Sequence, residues 1–197
     1  MSAVAKVHPV ATVSPDEPAA VRFMNTVWAD RAGVHDALAD RDDLVTVLDA
    51  LGSPSEVEVT EPDLRRARRL RDALRRIAAS ETDDDRPRAL TDLSLAAALD
   101  EVNQSLGDRP SGRLEHTGAG WRWDTGTSTV RHALAELARE GSLLFAQPDH
   151  PVRACRAPGC VLYFIQQHGR REWCSPECGN RARAARHYAR HGRAGRG

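Results

Sequence analysis

An α+β chain is what this sequence predicts: a mostly α-helical N-terminal domain with a small β-hairpin, followed by a small treble-clef-like module. Three observations predict it. The residues are 41% apolar but only 5% aromatic, a composition that builds a core from Ala, Leu and Val and suits packed helices better than a broad sheet. Apolar positions recur at helical spacing through most of residues 1–150, with one alternating stretch near position 120. All four cysteines fall within 24 consecutive positions, 155–178.

A length of 197 residues fits one domain plus a small appendage. Residues 1–17 carry prolines and no period, and read as a flexible N-terminal arm. Ala20, Phe23, Met24, Val27 and Trp28 then share helical spacing, which predicts a first helix running through Trp28. A second helix is predicted over 42–51, with Leu44, Val47 and Leu48 inward and Gly52 as its stop. Thr60-Glu61-Pro62-Asp63 is a helix start, a Thr cap with acids and a proline in the first turn, leading to Leu64, Ala67, Leu70, Leu74 and Ile77 on one face. Arg65, Arg66, Arg68, Arg69, Arg75 and Arg76 lie off that face and read as a solvated surface.

After the acidic loop Asp83-Asp84-Asp85, a helix is predicted over 88–105, with Leu90, Leu93, Ala97, Val102 and Leu106 inward and Gly107 and Pro110 ending it. Residues 113–117 and 121–125 alternate around Gly118-Ala119-Gly120, which predicts a β-hairpin with a three-residue loop and its two tryptophans in the core. A last body helix is expected over 129–145, with Val130, Leu134 and Leu137 on one side and a kink or break at Gly141. The body therefore spans 18–148 and the terminal module 149–197.

The cysteines stand as CxxxxC, thirteen residues, then CxxxC. Two short-range pairs of this kind converge on one tetrahedral ion, so Cys155, Cys160, Cys174 and Cys178 are expected to hold a single structural zinc. Two disulfides are the competing use of four cysteines, and their absence from the rest of the chain favours metal. Val161-Leu162-Tyr163-Phe164-Ile165 is β-rich, so the first pair sits at a hairpin knuckle. Ser175, Pro176 and Glu177 are a cap, a first-turn proline and a first-turn acid, so the second pair opens a helix. Knuckle, hairpin and helix describe a treble-clef zinc finger, closed and structural because every ligand is a cysteine.

The formal charge is zero overall, yet residues 1–150 carry 18 Lys+Arg against 26 Asp+Glu, a balance of −8, while residues 151–197 carry 10 Arg against Glu172 and Glu177, a balance of +8. Four thiolates and one divalent ion leave the tail near +6, enough to attract a polyanion. Arg183, Arg186, His187 and Arg190 follow i, i+3, i+4, i+7 spacing and form one cationic stripe, with Ala182, Ala185 and Ala189 as the packing face. The arginine fork matches both phosphate oxygens and guanine edges. Such a stripe suits double-stranded DNA, with Arg170 and Arg171 gripping the backbone and Asn180 and Arg181 either reading DNA or supporting the metal site; the competing use of these arginines is to bind the acidic body or a protein partner. A single finger offers little surface, which points to a homodimer presenting two half-sites.

There is no run of eighteen apolar residues and no secretory leader pattern, so the chain is read as cytoplasmic with no membrane partner. Phosphate loops, dinucleotide fingerprints, nucleophile elbows and HExxH are absent from the sequence, and a non-enzymatic role is expected.

The segment Trp173-Cys174-Ser175-Pro176-Glu177-Cys178-Gly179-Asn180-Arg181 resembles the CGNR zinc-finger family of bacterial transcription regulators. Phe23-Met24-Asn25-Thr26, Leu70-Arg71-Asp72-Ala73-Leu74 and Trp121-Arg122-Trp123 resemble the ABATE domain that precedes that finger. The resemblance implies a stress-linked regulator whose finger binds DNA and whose N-terminal domain senses or assembles. Asn25, Arg71 and Trp121 are the candidate lining of a pocket for a small-molecule effector. A zinc-stabilised protein-interaction module and a thiol redox switch are the alternatives.

Overall fold

A computed structural model describes residues 16–53, 58–86, 91–108, 112–124 and 129–191. Twelve elements follow in order: α1 (Ala19–Met24), β1 (Val27–Ala29), β2 (Val34–Asp36), α2 (Arg41–Ala50), α3 (Glu61–Glu81), α4 (Leu95–Leu106), β3 (Arg113–Thr117), β4 (Gly120–Asp124), α5 (Val130–Phe145), β5 (Val152–Ala154), β6 (Tyr163–Ile165) and α6 (Pro176–His191). The strands form three separate antiparallel pairs, β1–β2, β3–β4 and β5–β6. No helix among the described residues is long and apolar enough to cross a membrane.

The axis of the body is α3, about 31 Å of helix packed against α1, α2, α4, α5 and β5. Its start is the capping box expected from sequence: Asp63 N–H donates to Thr60 Oγ1, and Asp63 Oδ2 accepts from Thr60 N–H at 3.0 Å. Its end is a turn in which Asp83 takes φ +47, allowing Asp84 N–H to reach Ala79 O at 2.9 Å. That turn sends the Asp84 side chain inward. Gly52, at φ +86, ends α2 in the same way, with Gly52 N–H on Asp49 O and Ser53 N–H on Leu48 O.

Several expectations are corrected. The first helix stops at Met24, because Thr26 Oγ1 donates back to Phe23 O and the β-favouring Val27 and Trp28 enter a strand. Trp28 then stacks on His35 across the pair at 4.1 Å. The turn between these strands is closed by Asp30, which accepts from Ala32 and Gly33 N–H, with Gly33 at φ +145.

The fourth helix begins at Leu95, capped by Ser94, and it buries Ala98, Val102 and Ser105 while Ala97 faces solvent. Residues 88–90 of the expected helix lie outside the described residues, as do residues 1–15 of the arm and Pro110. The β3–β4 pair has Thr117 opposite Gly120, so its loop is the two residues Gly118 and Ala119. Trp121 is 72% exposed rather than in the core.

Of the arginines of α3, Arg65 and Arg69 are solvated as expected, but Arg66, Arg68, Arg75 and Arg76 are not. Arg75 is 2% exposed and donates to Met24 O and Val161 O. Arg68 reaches Leu38 O and Ala39 O, Arg76 reaches Leu93 O, and Arg66 pairs with Asp108. These side chains tie loops to the central helix, which hydrophobic periodicity alone does not reveal.

At Gly141, α5 continues unbroken. A Cβ there would meet Leu74 Cδ2 at 2.7 Å and Ala20 Cβ at 3.7 Å, so the glycine permits close approach of α5 to α3 and α1. Gly141→Val is expected to lower stability by about 1–3 kcal/mol through overpacking, measured by urea denaturation; unchanged stability would show that the three helices have room to part.

Candidate metal centre and nucleic-acid interface

The C-terminal module is a two-stranded ribbon with a helix behind it. Residues alternate across β6, so Tyr163 enters the main core with Val152 and Ala154, while Phe164 enters a second core made with Cys155, Ala157, Cys160, Cys174, Cys178 and Ala182. One three-residue strand thus faces two interiors. Asn25, fully buried after α1, supplies the missing strand partner: its amide N–H donates to Tyr163 O at 2.8 Å and its oxygen accepts from Tyr163 N–H at 2.9 Å. Glu17 does likewise for Ile165 N–H at 2.8 Å.

The knuckle between β5 and β6 is held by Cys155 N–H to Leu162 O and Cys160 N–H to Ala157 O, with Gly159 at φ +75 making the tight turn. The second pair opens α6: Ser175 Oγ accepts from Cys178 N–H at 3.3 Å, and Cys178 lies in the first turn. All four sulfurs lie within 4.8 Å of one another, with Cys160 and Cys174 Sγ 3.8 Å apart and Cys174 and Cys178 Sγ 3.4 Å apart. A tetrahedron with zinc–sulfur arms of about 2.3 Å has edges of about 3.8 Å, so the four cysteines are positioned to bind one metal ion. All are free thiols and buried.

The electrostatics fit a divalent cation. Hydrogen bonding to Cys160 brings the Cys155 thiol down to about 7. Hydrogen bonds from Cys155, Cys160 and Cys174, helped by the charge of Arg181, hold Cys178 far below its ordinary value. The same contacts, Cys155 first, push Cys160 and Cys174 up. Four crowded thiols cannot all ionise alone, and a central cation removes that conflict.

The residues after the last ligand have distinct tasks. A Cβ on Gly179 would stand 3.1 Å from Trp173 Cδ1 and 3.4 Å from Arg183 Nη1, so glycine lets both side chains close over the helix. Asn180 Oδ1 accepts from Arg183 Nη2 at 2.6 Å, and Arg181 Nη2 donates to Cys178 Sγ at 3.0 Å. Asn180 thus orients an arginine, and Arg181 faces the metal cluster. Arg186 lies over the Trp173 ring at 5.9 Å.

Arg183, Arg186, His187, Tyr188 and Arg190 are all exposed on α6. Of the expected packing face only Ala182 is buried; Ala185 and Ala189 are exposed, like every residue from Arg183 to Arg190. Arg170 is exposed beside a cleft of about 360 Å³ that Arg171, Trp173, Ser175 and Arg183 also line.

Arg171 departs from its expected role on the nucleic-acid face. Its guanidinium binds Glu17 Oε1 at 2.6 Å, Ile165 O at 3.0 Å and Cys174 O at 3.1 Å, and stacks over Phe164 at 5.0 Å. It clamps the module to the body.

The expected effector pocket is also corrected. Asn25 is committed to Tyr163, and Arg71, 4% exposed, to Asp36 and Asp72. Trp121 projects 72% exposed from the hairpin, and none of the cavities among the described residues brings the three together. Asn25, Glu17, Asp84 and Arg86 were missed as determinants of the module. Only the acidic run 83–85 gave a signal in the sequence, since their partners lie up to 154 positions away.

The purified, reduced chain is expected to carry one zinc equivalent, counted by native mass spectrometry. Cys174→Ser should lower zinc affinity at least tenfold, the scale of even an outer-layer substitution; a metal-free wild type or a fully loaded serine variant would refute the assignment.

Comparison with known families agrees with this architecture. A model described as "Putative stress-induced transcription regulator", ABATE, matches residues 17–148, and the CGNR zinc finger model matches residues 152–191. No curated protein and no solved structure matches the chain. With the first model covering more than half of its length and the second most of the remainder, the chain belongs to the ABATE family and ends in a CGNR zinc finger.

Proposed function

We propose that this chain is a DNA-binding transcription regulator that acts by binding rather than catalysis, with α6 as its contact element. One observation carries the reading: the distal half of α6 stands clear of the body with Arg183, Arg186, His187 and Arg190 exposed along one side. An α-helix fits the major groove of B-DNA, and a pre-fixed helix loses little conformational freedom on docking. Arg170, beside the start of α6, adds a backbone contact, while Arg181 and Arg171 serve the fold.

Eight residues of exposed helix, 183–190, bury little surface, so specific recognition needs a second copy, with half-sites about one helical turn apart. The protein acts in the bacterial cytoplasm, where the chromosome is reached. Protein docking is the second reading, favoured by the exposed Ala185, Ala189 and Tyr188 on the opposite side of α6. The thiol-switch alternative is less favoured because all four sulfurs are buried.

Fluorescence anisotropy on duplex DNA tests the proposal. Four phosphate contacts give a log–log salt slope of about −3.6, and Arg183→Ala/Arg186→Ala halves it to about −1.8, with affinity falling about tenfold or more per arginine. Salt-independent binding, or a partner captured equally well after nuclease treatment with no DNA shift, overturns it in favour of protein docking.

A further inference from the structure

Arg86 follows the turn at the end of α3 and touches both halves of the molecule. Nε and Nη2 grip the two oxygens of Asp84 at 2.6 and 2.5 Å. Nη1 donates to the main-chain oxygens of Cys155 at 2.7 Å and Cys160 at 2.9 Å, with Leu162 O at 3.5 Å. The pair is well enclosed, with side-chain exposures of 14% for Arg86 and 0% for Asp84. Tyr163 hydroxyl donates to Asp84 at 2.8 Å, and its ring lies 5.4 Å from the guanidinium. Asp84 alone would satisfy the charge. What needs explaining is that the remaining nitrogen gathers the carbonyls of both knuckle cysteines.

Two consequences follow from that geometry. Drawing both carbonyls to one cation fixes the peptide planes at the two ends of the knuckle, so the sulfurs of Cys155 and Cys160 converge before metal arrives. A zinc ion with four thiolates also carries a net −2, and the cations at this cluster come from both parts of the chain: Arg181, 3.0 Å from Cys178 Sγ, and Arg171, on Cys174 O, from the finger, and Arg86 from the body.

We propose that Arg86 is a positioning residue of the metal site, through which the N-terminal domain sets the zinc affinity of the finger. By linkage, zinc occupancy acts back on the Asp84–Arg86–Tyr163 network. This goes beyond DNA binding and does not depend on it.

The test is zinc affinity of the full-length chain, by competition with a chromophoric chelator, for wild type, Arg86→Ala, Arg86→Lys and Arg156→Ala. Arg156 is the control: it docks the knuckle on the same acidic turn, at Asp85, Thr82 O and Asp83 O, without touching a cysteine carbonyl. Arg86→Ala should weaken zinc binding about 10- to 100-fold, Arg86→Lys less, and Arg156→Ala by less than about fivefold. Wild-type affinity in Arg86→Ala, or losses equal to those of Arg156→Ala, overturn the proposal. If the alanine variant does not fold, unaltered affinity in Arg86→Lys overturns it. Melting temperatures of loaded and metal-stripped protein separate this role from a merely structural one: a larger loss in the loaded form is expected, and equal losses overturn it.

Discussion

Tyr163 presents its backbone N–H and C=O toward the body rather than toward a third strand, and the carboxamide of Asn25 answers both. A two-stranded ribbon with strands of three residues is at best marginal in water, and this contact turns it into part of a larger interior. On one side of β6 stands the apolar core of the helices; on the other stands the cysteine cluster. The placement of α6 follows, because Cys178 in its first turn and Cys174 just ahead of it supply two of the four sulfurs. The exposed arginines inherit their position from an asparagine more than 130 residues earlier.

Around that contact the chain concentrates buried and half-buried cations. Arg75, Arg86 and Arg171 each hold main-chain oxygens of the C-terminal module, and Arg75 and Arg86 also face the Tyr163 ring. Isolated buried charge is costly, whereas a guanidinium surrounded by carbonyls and a carboxylate is satisfied. Burial works to raise the Asp84 carboxyl, yet hydrogen bonds from Arg86 and Tyr163 hold it below its ordinary value. Burial depresses Arg75. Arginine suits these places because several donors on one rigid plane bind carbonyls that approach from different segments.

Local chemistry was legible in the sequence wherever local chemistry decides the structure. The Thr60 cap, the Gly52 stop, the Ser175 cap and the two cysteine pairs are all short-range arrangements, and each stands where spacing put it. The misreadings have one physical origin. Val27 and Trp28 fit a helical period but entered a strand; Arg75 resembled its solvated neighbours but lies in the interior; Trp121 had the composition of core but faces solvent. In each case the deciding partner, or its absence, is set by tertiary packing. Periodicity records which side of an element is apolar and says nothing of which polar head another segment will cover.

The alternation along β6 limits how the two family segments can be exchanged in evolution. Their matched regions meet between residues 148 and 152, yet Val152, Ala154 and Tyr163 lie on the far side of that seam and inside the helical core. A finger transplanted onto an unrelated body would arrive with an uncovered apolar face and an unanswered strand. Deleting or inserting a single residue in β6 would trade the tyrosine for the phenylalanine and spoil both interiors together. Lineages carrying this pair are therefore expected to inherit it as a unit, with length variation confined to the turn at 166–169.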